Sequence, residues 1–399
     1  MPMLRPALFL ACVALPALAQ TPRPLLHGDL QGDKKRGKPF EEVCPVGERL
    51  VGLGMRVELP GTKKIFGLKM AAGGDSVRIA AVAPICGGAD TSHHTLTFHG
   101  GGNPGKEDSY VIKPGERLLA VSGNYMAGND KLQSLQLHMD DKSSKVYGAA
   151  AWYDHGSETT TSAPVFILST PPGFEAVGIQ GRAEDEVFSF GLVYARSSEP
   201  VPDALQKLRA DTSGPRPTRD QIAESITRGL KMKGDVEGGE ASVGYLASLK
   251  SLGQGFSFRA EGPLNQIAND ASAHARRKEP YTADSITSPI LSALVITVHP
   301  NDPESIGSIK GSDVPVWTGQ ANTVSIVVKN GASELVIPAT WAERVFFPAS
   351  YNDAYHAVGG LRAYFPISAL PPGTFSVRVA TRIKDYTTDM DAKGRAKIR

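Results

Sequence analysis

No apolar run in this 399-residue sequence approaches the roughly 18–20 residues that a membrane-spanning helix needs, so no membrane span is expected. An excess of charge is missing too. Lysine plus arginine number 43 and the acids 41, a formal net charge of +2, which leaves no global field to recruit nucleic acid or an anionic membrane. Local catalytic signatures are absent: there is no nucleophile elbow, no HExxH helix, no Cys–His pair and no pair of carboxylates on facing strands. Gly100–Lys106 satisfies the letter of G-x-x-x-x-G-K, yet Glu107 stands where a serine or threonine must hold magnesium. His93, His94 and His99 lack the helical spacing and carboxylate partner of a metal site. No catalytic residue, metal or cofactor is therefore expected.

Cysteine is equally sparse, at three residues. Residues 1–20 carry Arg5, the apolar run Ala7–Leu15 and the small-residue site Ala17-Leu18-Ala19 before Gln20. That is the layout of a secretory signal peptide, and it places the protein in the periplasm or outside the cell. Cys12 would leave with it, so an even pair, Cys44 and Cys86, remains in an oxidising compartment. A disulfide is the expectation, with two buried thiols as the alternative.

From Gly37 to about Arg196 the pattern is β throughout. Runs such as Leu50–Val57, Val77–Val82, Leu118–Val121, Leu132–Leu137, Val165–Leu168 and Phe188–Tyr194 are separated at short intervals by Gly, Asn, Asp or Pro. Many short strands with regular turns imply a sandwich, barrel or prism. Around Ser197 the composition changes. Ser198–Pro202 and Ser213–Pro217 read as linkers, because proline supplies no ladder donor. Helices are expected over Asp203–Ala210, over Thr218–Leu230 with Thr218 as N-cap, and over Pro263–Arg277 with proline in the first turn. Residues Gly234–Gly255 are glycine-rich and ambiguous. The last hundred residues return to alternating strands and read as an immunoglobulin-like β-sandwich.

Gly37-Lys38-Pro39-Phe40-Glu41-Glu42 looks like a glycine loop opening into an aromatic and an acidic pair. Then follow Phe98-His99-Gly100-Gly101-Gly102, Ile112–Glu116, Leu119–Tyr125, Leu132–Leu137, Tyr147-Gly148, Val177–Arg182 and Phe190–Tyr194. In that order and spacing, residues 37–196 resemble the jacalin-related lectins; the remainder resembles no characterised family. The resemblance implies a β-prism of three four-stranded units that binds a sugar where three loops meet at one end. It assigns Gly37 to the opening loop, Tyr125, Met126 and the residues to Lys131 to the recognition loop, and Glu184–Phe188 to the closing loop. A sugar presents vicinal hydroxyls, so such a site needs backbone N–H groups on glycine-permitted loops and a carboxylate able to accept two hydroxyls.

Here the chain departs from the family pattern. Glu184 and Phe188 stand where the family has glycine and, four residues on, aspartate, and phenylalanine accepts no hydroxyl. Asp185 and Glu186 lie beside that position and could substitute after a shift of the loop; otherwise they are solvated loop acids. Trp152, Tyr153 and His155 in the turn after Tyr147-Gly148, and Trp341, Phe346, Phe347, Tyr351 and Tyr355 in a loop-rich part of the last domain, are aromatics for stacking a sugar or peptide or for the core.

The expected organisation is a signal peptide over 1–20, a jacalin-like β-prism over 21–197, a linker and helical segment over 198–285, and a β-sandwich over 286–399. The expected function is non-enzymatic recognition of a glycan or a cell-surface protein. The alternatives are an envelope structural role with a degenerate sugar site, and an enzyme with an unrecognised site in 198–399. The sequence leaves the oligomeric state open.

Overall fold

The computed structural model describes the chain between residues 23 and 390, except for intervals that include 126–130, 149–164 and 233–246. The signal-peptide segment, Met126, Trp152, Tyr153 and His155 lie outside the described residues.

The fold is mainly β, and the strands follow the alternation of the sequence. Leu118–Tyr125, Leu132–Met139, Phe174–Ala183 and Val187–Arg196 are antiparallel strands whose inward positions are apolar. Up to residue 196 the described strands form three large sheets, besides the two-stranded hairpin of Thr62–Ile65 with Leu68–Ala71. The first orders Leu25–His27, Val187–Arg196, Phe174–Ala183 and Lys38–Val43; the second orders Lys106–Val111, Arg49–Glu58, Arg78–Gly87 and His93–Thr95; the third orders Ser144–Gly148, Leu132–Met139, Leu118–Tyr125 and Val165–Ser169. Two of the three carry an additional two-residue strand, Gln31–Gly32 and His99–Gly100.

All three sheets turn one face onto a single core. It joins Phe190, Leu192 and Ile179 of the first sheet, Leu53, Met55 and Ile79 of the second, and Leu135, Leu137 and Val121 of the third. Three sheets around one core make a three-sided prism. The outermost strand of the first sheet closes it: Leu25 pairs with Ala195 and His27 with Val193. Cys44 and Cys86 form a disulfide, with Cα atoms 5.5 Å apart, that ties the end of Lys38–Val43 in one sheet to Arg78–Gly87 in the next.

The C-terminal half builds a second core. A five-stranded sheet ordered Ala247–Ser251, Phe256–Glu261, Ala293–Pro300, Ala354–Pro366 and Trp341–Tyr351 faces a four-stranded one ordered Ser333–Pro338, Ala321–Asn330, Phe375–Thr381 and Asp385–Met390. Phe258, Leu294 and Phe365 from the first pack with Ile326, Val377 and Phe375 from the second.

The segment over 198–285 is more than linker and helices. Phe256–Glu261 is an interior strand of the five-stranded sheet, paired along its length with Ala293–Pro300, so that sheet runs across the expected boundary at 285. Its sequence, Phe-Ser-Phe-Arg-Ala-Glu, alternates as a half-buried strand does, and the glycine-rich residues before it obscured the signal. Helix Asp203–Ala210 also joins this half, burying Leu205 and Leu208 against Ala293, Val295 and Tyr364. Helix Arg219–Met232 begins where Thr218 predicts: Thr218 Oγ1 accepts from the Gln221 amide at 3.3 Å and Gln221 Oε1 accepts from the Thr218 amide at 2.8 Å. Among the described residues no helix is long and apolar enough to cross a membrane.

Candidate functional site

Strand direction sorts the loops of the prism onto two poles. Tyr125 ends its strand at the same pole as the Ala183–Val187 hairpin and the chain leading into Lys38–Val43, so the expected site residues converge there.

Gly37 occupies left-handed backbone space at φ +73°, and a Cβ there would stand 2.8 Å from Phe188 Cδ2. Only glycine fits both constraints. Its carbonyl accepts from Arg182 Nη2 at 2.6 Å, while Arg182 Nε donates to the Arg36 carbonyl at 3.0 Å. Asp33 organises the approach: its Oδ1 accepts from the amides of Lys35 at 2.8 Å and Arg36 at 3.3 Å, and the first of these holds its carboxyl below the usual range.

Tyr125 anchors this pole from inside. Its hydroxyl donates to the Gln31 carbonyl at 2.7 Å, its ring lies 5.3 Å from that of Phe166, and burial raises the phenol pKa. The closing hairpin pairs Ala183 with Val187, leaving Glu184, Asp185 and Glu186 in the loop. Gly101 grips it by donating its amide to the Asp185 carbonyl at 3.1 Å, which explains why the Gly100-Gly101 motif accompanies the hairpin.

The three loop acids do different things. Glu184 and Asp185 are exposed. Glu186, expected at the rim, is instead buried at 6% exposure: Arg78 Nε lies 2.7 Å from its Oε1 and Lys131 Nζ 2.5 Å from its Oε2. Arg78 also reaches Glu58 Oε2 at 2.9 Å. Both oxygens of Glu186 are thus committed to joining the hairpin to the second sheet and the recognition loop. Phe188 is buried as well, under the Arg36 guanidinium at 4.4 Å from the ring centroid. Among the described residues, this pole offers a ligand the exposed pair Glu184 and Asp185, beside the Arg36 guanidinium that covers the Phe188 ring.

Sequence reasoning missed Arg36, Arg78 and Arg182 as organisers of this pole. The basic run Lys34-Lys35-Arg36 directly before Gly37 was the available signal for the first. Arg78 is far from Glu186 in the chain and left none. Replacing Glu186 by glutamine should destabilise the prism by about 2 kcal/mol in urea melts, below the roughly 3–5 kcal/mol of a fully buried pair, because Arg78 keeps Glu58 and both cations reach water. A loss under about 0.5 kcal/mol would mean that the pairs contribute only as surface ones do.

Residues 63–193 match the family model of the Jacalin-like lectin domain. This domain is jacalin-related. The jacalin-related domain is also similar to solved structures. AcmJRL, a mannose-binding jacalin-related lectin from Ananas comosus, is 19% identical, covers 43% of this chain and 99% of its own, and gives a TM-score of 0.30. Calsepa lectin in complex with a biantennary N-glycan is 21% identical over 45% and 100% of the two chains, with a TM-score of 0.30. A mannose-specific jacalin-related lectin from Morus nigra is 18% identical over 44% and 97%, at 0.29. No curated protein matches the chain.

Proposed function

We propose that this is an exported, non-enzymatic recognition protein whose jacalin-related domain binds a glycan at the pole of Gly37, Tyr125, Glu184 and Asp185. The observation behind the reading is the match to the Jacalin-like lectin domain over residues 63–193 together with the convergence of the opening, recognition and closing loops on one pole. Glu184 and Asp185 supply carboxylates that accept sugar hydroxyls, and charge-assisted bonds of this kind contribute about 1.5–3 kcal/mol each. The Cys44–Cys86 disulfide and the signal-like residues 1–20 support export.

A glycan array probed with residues 21–399 tests this. We expect a restricted set of glycans to bind, and the double variant Glu184→Gln, Asp185→Asn to lose at least tenfold in affinity for them. The burial of Phe188 under Arg36 favours a second reading, recognition of a surface protein through a pole with an altered sugar site. A uniformly silent array would overturn the glycan reading in favour of the second.

A further inference from the structure

The third sheet of the prism meets the C-terminal half, where strands Leu118–Tyr125 and Val165–Ser169 pack against Trp341–Tyr351. His138 sits in this seam. Leu137 and Met139 on either side of it enter the prism core, so strand alternation sends the imidazole outward. There its ring lies 4.4 Å from that of Phe346, at a tilt of 31°, and Nε2 lies 2.8 Å from Ser122 Oγ. His138 and Ser122 are both buried.

The seam is built unlike either core. By the same alternation Ser122, Asn124 and Ser134 share the outward face with His138, and all four are buried polar residues. Asn124 Nδ2 donates to Gln133 Oε1 at 3.0 Å, and Ser134 Oγ donates to Asn124 Oδ1. The contact between the halves is also incompletely filled, with a cavity of about 660 Å³ between the turn Lys113–Glu116 and Trp341–Arg344. A polar, partly filled contact is that of domains free to move against each other, whereas a large apolar one would hold them fixed. Among the described residues no sheet runs from one half into the other, so separating them breaks no ladder.

No counter-charge faces His138 among the described residues. Leu118–Tyr125 and Val165–Ser169 carry no charged side chain. Lys145 on the neighbouring strand pairs with Asp108 at 2.9 Å, and Arg117 with Asp140 at 3.4 Å. On the opposite side Glu343 accepts from Arg362 at 3.3 Å and Tyr364 at 2.7 Å, and Arg344, two residues before Phe346, is itself a cation. A protonated imidazole in this place is therefore buried without compensation. Burial lowers its pKa to about 4.

We propose that His138 is an acid-released latch, whose protonation separates the prism from the C-terminal half while both stay folded. Unfolding the prism would also free the ring, but separation does so with every strand still paired. Above about pH 6.5 the ring is neutral in either arrangement and the latch is closed. As the pH falls, the separated arrangement takes up a proton that the closed one refuses, and the ratio of separated to closed molecules should rise about 100-fold between pH 7 and pH 4. Glu343 acts in the other direction: burial raises its carboxyl pKa, so its protonation favours the buried state and cannot supply the effect.

Small-angle X-ray scattering of residues 21–399 from pH 7 to pH 4, with far-UV circular dichroism at each step, tests the latch. We expect the radius of gyration of the parent to increase in acid with its β signal retained. His138→Gln, which keeps a partner for Ser122 without titrating, should stay compact, and Phe346→Leu, which thins the cover and leaves the prism intact, should expand at a higher pH than the parent. A parent of unchanged radius at pH 4, a glutamine variant that expands together with it, or a leucine variant that expands no earlier would each overturn the latch. So would expansion with loss of the β signal, because His138 would then report only on unfolding.

Discussion

Replacing Cys44 and Cys86 together by alanine is expected to cost about 4 kcal/mol and to lower the melting temperature of the prism by roughly 10 °C. The bridged residues are 42 apart in sequence, and in the chain-entropy account a closed loop of that size removes about 4 kcal/mol of conformational freedom from the unfolded chain. Location adds to the effect. Cys44 follows Lys38–Val43 of one sheet and donates its amide to the Val177 carbonyl at 2.8 Å, while Cys86 sits inside a strand of the next sheet, so the bond fixes the angle between two faces of the prism. Both cysteines are buried, at 3% and 0% exposure, so reductant should act slowly on the folded protein and quickly after unfolding. Scanning calorimetry of the double variant, and of the parent with and without reductant, measures the difference. A shift below about 3 °C would show that the three-sheet core alone holds the faces in place.

Lowering the pH from 7 to 4 is expected to remove about 3 kcal/mol of stability through a single side chain, His138. Its imidazole is 5% exposed, Nε2 lies 2.8 Å from Ser122 Oγ, and its ring lies 4.4 Å from Phe346 of the C-terminal half. Burial disfavours the charged form and lowers its pKa to about 4, from the usual 6.5 or so. The unfolded chain then binds a proton that the folded chain refuses. Stability is full above about pH 6.5, falls as the pH drops, and has lost the whole contribution by about pH 4. His138→Gln retains a hydrogen-bonding partner for Ser122 and removes the titration. Urea melts at intervals between pH 7 and pH 4 should slope for the parent and be flatter by about 3 kcal/mol for the variant; parallel curves would sink the assignment to His138.

Much of the first half was legible because its information is local. Alternation placed strands at Leu118–Val121 and Leu132–Leu137, which the structure extends to Tyr125 and Met139, and the family resemblance carried by the short glycine and aromatic motifs implied three sheets where the pattern alone left sandwich, barrel or prism open. Capping chemistry is local as well, which is why Thr218 and Pro263 marked helix starts correctly. The inward turn of Glu186 was not legible, because it depends on Arg78 and Lys131, which only the closed prism brings beside it. Phe188 shows the same limit: its sequence position said that a carboxylate was missing, but not that Arg36 would cover the ring. The cavity beside Trp341 lies further out of reach, since its walls come from residues more than two hundred apart that meet only once both cores exist.

The pairing of Leu25–His27 with Val193–Ala195 joins the two ends of the prism as neighbours in one sheet. During translation, then, the first strand leaves the ribosome without its partner and must wait for about 170 more residues. The intermediate is a chain with two exposed sheet edges, the state in which a holdase chaperone is most useful. The same adjacency makes the prism a candidate for circular permutation: a short linker from Arg196 back to Leu25, with new termini opened in the Lys113–Glu116 turn, would reconnect every strand in its present register.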